Sequence, residues 1–245
     1  MKAKTMYPKL KSAAGRLPFI SLALAVAACL VMVFPSLADL LQYDRSSIAG
    51  GQWWRIATCH LTHWSLDHLF WDAIVLLVIG FVIERDNLRR LLTCMGLSAV
   101  LIPLAVWTCM PELPTYRGLS GIDSAVFMLL AVTLLHESWA RRDRGWILIC
   151  TAMIIGFTAK AGFEFLTGTT LFVDAAEANM LPVPLAHLIG AAIGVLCAVP
   201  WKSRPQAKKE IHLTSSSWTS KCRSWTAMKP HANCVPSATT TPSSP

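Results

Sequence analysis

Apolar residues along this chain run in blocks of helix length, separated by short polar and charged stretches. The blocks fall at about 17–34, 66–84, 91–110, 119–138, 145–163 and 183–200, each close to the roughly 20 apolar residues that a helix needs to cross a hydrocarbon core of about 30 Å. The pattern predicts an all-α polytopic membrane protein, a bundle of six transmembrane helices with a large first external loop at about 35–65. The first block follows a basic start (Lys2, Lys4, Lys9, Lys11, Arg16) and runs on to Phe34. That is longer than the roughly 7–15 apolar residues of a signal-peptide core, so a retained signal-anchor span is expected. Three regions follow: a basic cytoplasmic N-terminus at 1–16, the membrane domain at 17–200, and a basic Ser/Thr/Pro-rich tail at 201–245. The tail lacks apolar period and is expected to be disordered.

Composition agrees with this reading. The 245 residues are 54% hydrophobic and 15% charged, with a mean hydropathy of +0.48, whereas a soluble domain is about 25% charged. The charges also sort by side. Alternating the spans groups the N-terminal lysines and Arg16 with Arg85, Arg89, Arg90, Arg141, Arg142, Arg144, Lys202, Arg204, Lys208 and Lys209, and leaves Arg45, Arg55 and Arg117 opposite. By the positive-inside rule both termini are cytoplasmic. The net charge of +8 therefore reflects topology and gives no reason to expect nucleic acid. Trp107 and Trp201 fall at span ends, and Trp139 and Trp146 flank the short loop between the fourth and fifth spans, as an aromatic belt would place them. The eight cysteines show no metal spacing. Cys59 and Cys109 face the same side and could pair.

Two polar residues stand at the starts of apolar blocks. Ser120, in Gly118-Leu119-Ser120-Gly121, opens the fourth, and His187 opens the sixth. Both enter from the external side, so they share a depth. A helix start offers unpaired backbone N–H groups and a positive dipole end, which would stabilise the oxyanion formed when a serine attacks a peptide carbonyl. Gly118 and Gly121 let the backbone bend and a substrate approach. The string Ser120-Gly121-Ile122-Asp123 also reads as a capping box, with Asp123 as a cap. His187, Gly190, Ala191 and Gly194 fall on one stripe of the sixth span, and Ser120, Ser124 and Ala131 on one stripe of the fourth. If those stripes meet, small residues permit close contact and the imidazole can take the serine proton. The pair points to a serine protease working inside the bilayer, with no cofactor. Lys160 and Glu164 are one turn apart in the fifth span and can pair with each other.

These residues resemble the rhomboid family of intramembrane proteases over about 50–200. The family pattern is a Trp-Arg pair, histidines entering the second span, an Asn, then Gly and Glu at its far end. It is met by Trp54, Arg55, His63, His68, Gly80 and Glu84. The resemblance implies a Ser120–His187 dyad, an oxyanion hole that uses the Ser120 backbone and His68, and structural roles for Trp54, Arg55, Glu84, Gly190 and Gly194. The family's Asn position holds Asp72. Asp72 could hold His68 as imidazolium from one turn away, or stay protonated and donate directly. The strings Tyr116-Arg117-Gly118-Leu119-Ser120-Gly121, Lys160 with Glu164, and His187-Leu188-Ile189-Gly190 look most like the rhombosortase branch. That branch implies a bacterial inner-membrane protein that acts on transmembrane substrates among the membrane lipids, processing C-terminal Gly-Gly anchor tails. Two other readings compete. A rhomboid-like membrane binder without catalysis would keep the fold, and a metal-binding membrane protein would use His60, His63 and His68 with Asp67 and Asp72.

Overall fold

The structure, a computed structural model, describes residues 18–169 and 183–199. The regions at 1–16 and 201–245 lie outside the described residues, as does the segment 170–182 that leads to the last helix. Helix α1 (Phe19–Val33) gives way at Phe34 to α2 (Pro35–Leu41), which is bent from it by 116°. Proline at the first position suits the start of α2, because its missing N–H would have no helical acceptor there. A short strand β1 (Tyr43–Asp44) and two single-turn helices, α3 (Arg45–Ala49) and α4 (Arg55–Thr58), complete the loop before α5 (Leu66–Cys109). Strand β2 (Thr115–Tyr116) pairs antiparallel with β1, Tyr43 opposite Tyr116. Helices α6 (Ser120–Arg141), α7 (Arg144–Thr167) and α8 (Pro184–Ala198) follow.

Each apolar block has become helix, with one difference. The second and third blocks are joined in α5 without a loop, broken only at Asn87, whose backbone is extended (φ −153°, ψ 83°). The Asn87 side chain accepts the Arg90 N–H at 3.1 Å, so it caps the helix at 88–109 directly after ending the one at 66–86. Among the described residues, α5, α6 and α7 are each long and apolar enough to cross a membrane, and α1 with α2 would add a fourth span. Helix α8 is apolar but has 15 residues. Large apolar side chains such as Val78, Leu148, Leu166 and Leu196 stay exposed on the outside, as helices facing lipid tails require.

Helix α6 is the central element. Ile122, Ala125, Val126 and Leu129 are all buried, and they share a core with Leu76, Leu91, Ile102, Val106 and Ile193. Its contact with α8 is backbone against backbone. A Cβ added at Gly190 would overlap the Gly121 carbonyl oxygen, and one at Gly194 would overlap that of Ala125. The α6 stripe facing α8 is therefore Gly121 and Ala125, one position round from the expected Ser120, Ser124 and Ala131. The glycines of α8 need bare backbone to approach, and Ser120 and Ser124 are turned aside onto a cavity.

Two arginines and a glutamate hold the rest. Arg55 is buried and donates to the Asp39 and Gln42 carbonyls at 2.7 and 2.9 Å and to Gln52 Oε1 at 2.7 Å. Its neighbour Trp54 donates from Nε1 to the Leu40 carbonyl at 3.3 Å. Arg45 donates to the Val106, Trp107 and Met110 carbonyls at 3.3, 2.8 and 3.0 Å, closing the C-terminal end of α5. At the other end of the molecule Glu84 accepts the Ile20 and Ser21 N–H groups, both at 3.0 Å, and the Ser21 hydroxyl at 2.9 Å. It thus caps α1 from α5, beside Gly80, where an added Cβ would lie 2.5 Å from Ser21 Oγ. Cys59 is buried and Cys109 exposed, and both are free thiols.

Candidate active site

The Gly118–Gly121 segment is held from three sides. Gly118 donates its N–H to the Cys59 carbonyl at 3.3 Å, and its own carbonyl lies 3.1 Å from His60 Nδ1. The other His60 nitrogen is 3.3 Å from the Ala99 carbonyl. Burial holds His60 below the ordinary histidine range. A neutral ring has one N–H, so only one of those two carbonyls receives a hydrogen bond. Gly118 has φ +123°, and an added Cβ would sit 2.8 Å from both Cε1 and Nε2 of His68. Conformation and space both demand glycine there.

Leu119 donates its N–H to Asp72 Oδ2 at 2.9 Å. The same oxygen lies 3.2 Å from His63 Nε2 and 3.4 Å from His68 Nε2. The two imidazoles meet edge to face, 5.1 Å between centroids. Asp72 Oδ2 thus accepts the Leu119 N–H, faces an imidazole nitrogen on each of two other sides, and ties α5 to the start of α6. Arg117 adds a further tie, donating to Gln42 Oε1 and Asp39 Oδ1, both at 2.8 Å, with its guanidinium over Trp64.

Ser120 is the first residue of α6, not its N-cap, which is Leu119 and carries no side-chain cap. The capping box read from the sequence is therefore not formed. Both carboxylate oxygens of Asp123 are buried without a hydrogen-bond partner among the described residues, because Asp123 is one position too far along the helix to reach back. The first helical hydrogen bond runs from Asp123 N–H to the Leu119 carbonyl at 2.9 Å. The N–H groups of Ser120, Gly121 and Ile122 therefore have no acceptor within the helix.

His187 lies in the first turn of α8. Its Nδ1 is 2.9 Å from Glu164 Oε2 on α7, and Glu164 Oε1 accepts from Lys160 Nζ at 2.7 Å. Glu164 is only 2% exposed. A carboxylate accepts, so the proton of this contact sits on Nδ1, and in the neutral ring Nε2 is the nitrogen that carries the lone pair. The sequence placed Lys160 and Glu164 together but did not reach their link to His187. The signal was an ionisable pair inside an apolar block; its partner lay 23 residues on, across a helix-to-helix connection.

Ser120, His187, His68, Asp72 and Glu164 all line one cavity of about 520 Å³ between α5, α6, α7 and α8, within the usual range for ligand pockets. Trp64, Trp71, Phe127 and Phe157 give it apolar walls. Gly118 and Gly121 form the backbone behind Ser120, while Gly190 and Gly194 set the distance to α8. Trp54, Arg55 and Glu84 are not in the cavity lining and hold the loop and α1. His60 is directed at carbonyls and does not join His63 and His68, and among the described residues no three His, Cys, Asp or Glu side chains converge as a metal site needs.

Residues 50–203 match the Rhomboid domain family. No curated protein matches the chain. The match takes in the helices and strands from α4 onward and all the residues lining the cavity, leaves out α1, α2, β1 and α3, and spans well over half of the sequence. With its apolar helices, this multi-pass membrane protein belongs to the rhomboid family.

Proposed function

We propose that the chain is an intramembrane serine endopeptidase with Ser120 as nucleophile and His187 as general base. One observation carries this reading: a serine at the N-terminus of α6 and a histidine in the first turn of α8 share a cavity, on two helices locked in backbone contact. The Ser120 hydroxyl attacks the scissile carbonyl while His187 Nε2 takes its proton. The tetrahedral oxyanion is met by the Ser120 and Gly121 N–H groups, which no helical carbonyl uses, and by His68, whose ring lies against Gly118. His187 then returns the proton to the leaving amine, and water repeats the sequence on the acyl-enzyme. Asp72 contributes by fixing the Leu119 amide, and with it the direction of the helix start.

In this reading α1, the two parts of α5, α6, α7 and α8 are six spans, and the basic loops put both termini in the cytoplasm of a bacterial inner membrane. The substrates are single-span membrane proteins cut in or near the span, in the manner of a rhombosortase acting on a C-terminal Gly-Gly tail. The Arg117-Gly118-Leu119-Ser120 string, the Lys160–Glu164 pair and His187-Leu188-Ile189-Gly190 support that branch.

The test is cleavage of a panel of single-span reporters, with and without such a tail, by purified protein in detergent, alongside fluorophosphonate labelling. Ser120→Ala and His187→Ala should each abolish both, and the double variant should be no worse than either alone, because the two act as a unit. Cleavage that persists in Ser120→Ala would sink the serine mechanism.

A further inference from the structure

We infer that Glu164, itself oriented by Lys160, is a positioning residue for His187, so that this site works as a Ser–His–Glu relay in place of a two-residue dyad. The inference rests on the proposed roles of Ser120 and His187 and adds a third group to them. Its ground is geometric. Of the residues of α7, only Cys150, Ala161 and Glu164 are buried, and the rest of the helix is partly or wholly exposed. A helix that needed only to pack on α8 would do so with an apolar side chain, without the cost of taking a carboxylate out of water. Here the carboxylate spans two helices, one oxygen 2.9 Å from His187 Nδ1 and the other 2.7 Å from Lys160 Nζ. Lys160 and Glu164 also line the cavity that holds Ser120.

The proton balance is simple. In the resting enzyme His187 carries its proton on Nδ1, donated to Glu164, and Nε2 is the acceptor. During attack the Ser120 Oγ–H bond breaks, the proton goes to Nε2, and the Oγ lone pair forms the bond to the carbonyl carbon. The imidazolium now has both protons, and the Glu164 carboxylate, which stays ionised, stabilises it. Nδ1 keeps its proton throughout, as in the serine triads of soluble enzymes.

Lys160 makes the idea sharply testable. An ammonium only donates. In Glu164→Gln it must therefore face the amide oxygen, which turns the amide NH₂ toward His187 Nδ1. Nδ1 becomes an acceptor, the ring proton moves to Nε2, and Nε2 can no longer take the serine proton. The expected result for Glu164→Gln is a fall in kcat on the order of 10⁴, as for the equivalent change in a soluble triad, with KM changed less than about threefold. In Lys160→Met/Glu164→Gln the amide is released to turn its oxygen to Nδ1–H, and kcat should recover at least about tenfold over Glu164→Gln. A purely structural pin would give the opposite order, because the double variant removes more of the α7–α8 link.

The assay is reporter cleavage and fluorophosphonate labelling of the full chain in detergent, with thermal unfolding followed for each variant. Wild-type cleavage that depends on Ser120 establishes the underlying reading independently. Within that result, a Glu164→Gln variant with kcat near wild type, or a double variant with no recovery, overturns the relay and leaves the dyad standing. Should Glu164→Gln not fold, Glu164→Asp replaces it. Withdrawing the carboxylate by one methylene should lower kcat about tenfold at unchanged KM, since roughly 1 Å of misplacement costs up to 10²-fold, and full activity in Glu164→Asp overturns the relay.

Discussion

Replacing Gly190 with alanine adds one methyl group where, among the described glycines, an added Cβ would meet the closest neighbour. That Cβ would overlap the Gly121 carbonyl oxygen and come within 2.9 Å of its carbon and 3.4 Å of the Ala125 nitrogen. All three are backbone atoms of α6, so no side chain can swing away. Relief requires α8 to move from α6 by a distance on the order of 1 Å, and overpacking of this kind costs about 1–3 kcal/mol. Alanine is the better helix former by about 0.8–1 kcal/mol, which offsets part of that cost. The net loss of stability is then about 0–2 kcal/mol, not enough to unfold the protein. Activity should suffer more. Ser120 precedes Gly121 on α6 and His187 precedes Gly190 on α8, so the helix separation passes directly into the distance between the two side chains. A shift of about 1 Å in such a pair costs on the order of 10²-fold. Gly194→Ala, whose Cβ would overlap the Ala125 carbonyl oxygen, should behave alike, though more weakly on activity because it lies a turn further from His187. Gly96→Ala and Gly162→Ala are the controls, since an added Cβ meets nothing within 4 Å at either position. They should keep full activity and gain about 0.5–1 kcal/mol from reduced chain entropy. Melting curves and reporter cleavage on the five proteins decide the matter. A Gly190→Ala variant that melts and cleaves like wild type, or a Gly162→Ala variant equally damaged, would refute the close-contact argument.

Glu84→Ala should destabilise the protein by about 2–3 kcal/mol, because three donors at the start of α1 lose a charged acceptor. Glu84 lies about 18 Å along α5 from Asp72, so activity per folded molecule should stay at the wild-type level; a large fall in kcat without a fall in melting temperature would contradict the capping role. Asp72→Asn keeps an oxygen for the Leu119 N–H and should cost roughly tenfold in rate, whereas Asp72→Ala and His68→Ala should each cost about 10²–10³, the usual loss for an oxyanion-site group. Initial rates in detergent test this series, and full activity in Asp72→Ala would reduce Asp72 to a packing residue.

The helices were legible in the chain because lipid leaves a simple signature: apolar blocks of the right length, with charges pushed to the ends. Ser120 and His187 were legible because polar residues at helix starts stand out against that background. What the sequence hid were contacts between elements. The shared oxygen of Asp72 brings together His63, His68 and Leu119 from three segments, and no local spacing encodes it. The facing stripe on α6 was misassigned by one position because Ser120, Ser124, Gly121 and Ala125 are all small, so residue size could not choose between the two faces. The capping box failed for a related reason. Its residues were present at the right spacing, but a buried Asp72 had already taken the Leu119 amide and moved the helix start by one residue. Glu164 was visible only as half of an i,i+4 pair.

The wall of the cavity is thus assembled from helices that each fix a different polar group. Asp72 on α5 holds the amide before Ser120, bare backbone on α6 sets the approach of α8, and Glu164 on α7 holds His187. Inside a membrane domain this division has a physical reason. A polar side chain left unpaired among apolar helices is costly, so several groups at the site bond to a neighbouring helix, and in the proposed mechanism each such bond also fixes a distance that catalysis uses. Orientation and solvation are supplied by the same contacts. The Asp123 carboxylate, buried beside the cavity with no partner among the described residues, departs from that pattern. Among the described residues His63 Nδ1, His68 Nδ1 and the Tyr116 hydroxyl are likewise buried without a bond, so the polar network around the cavity stays open at several atoms close to Ser120.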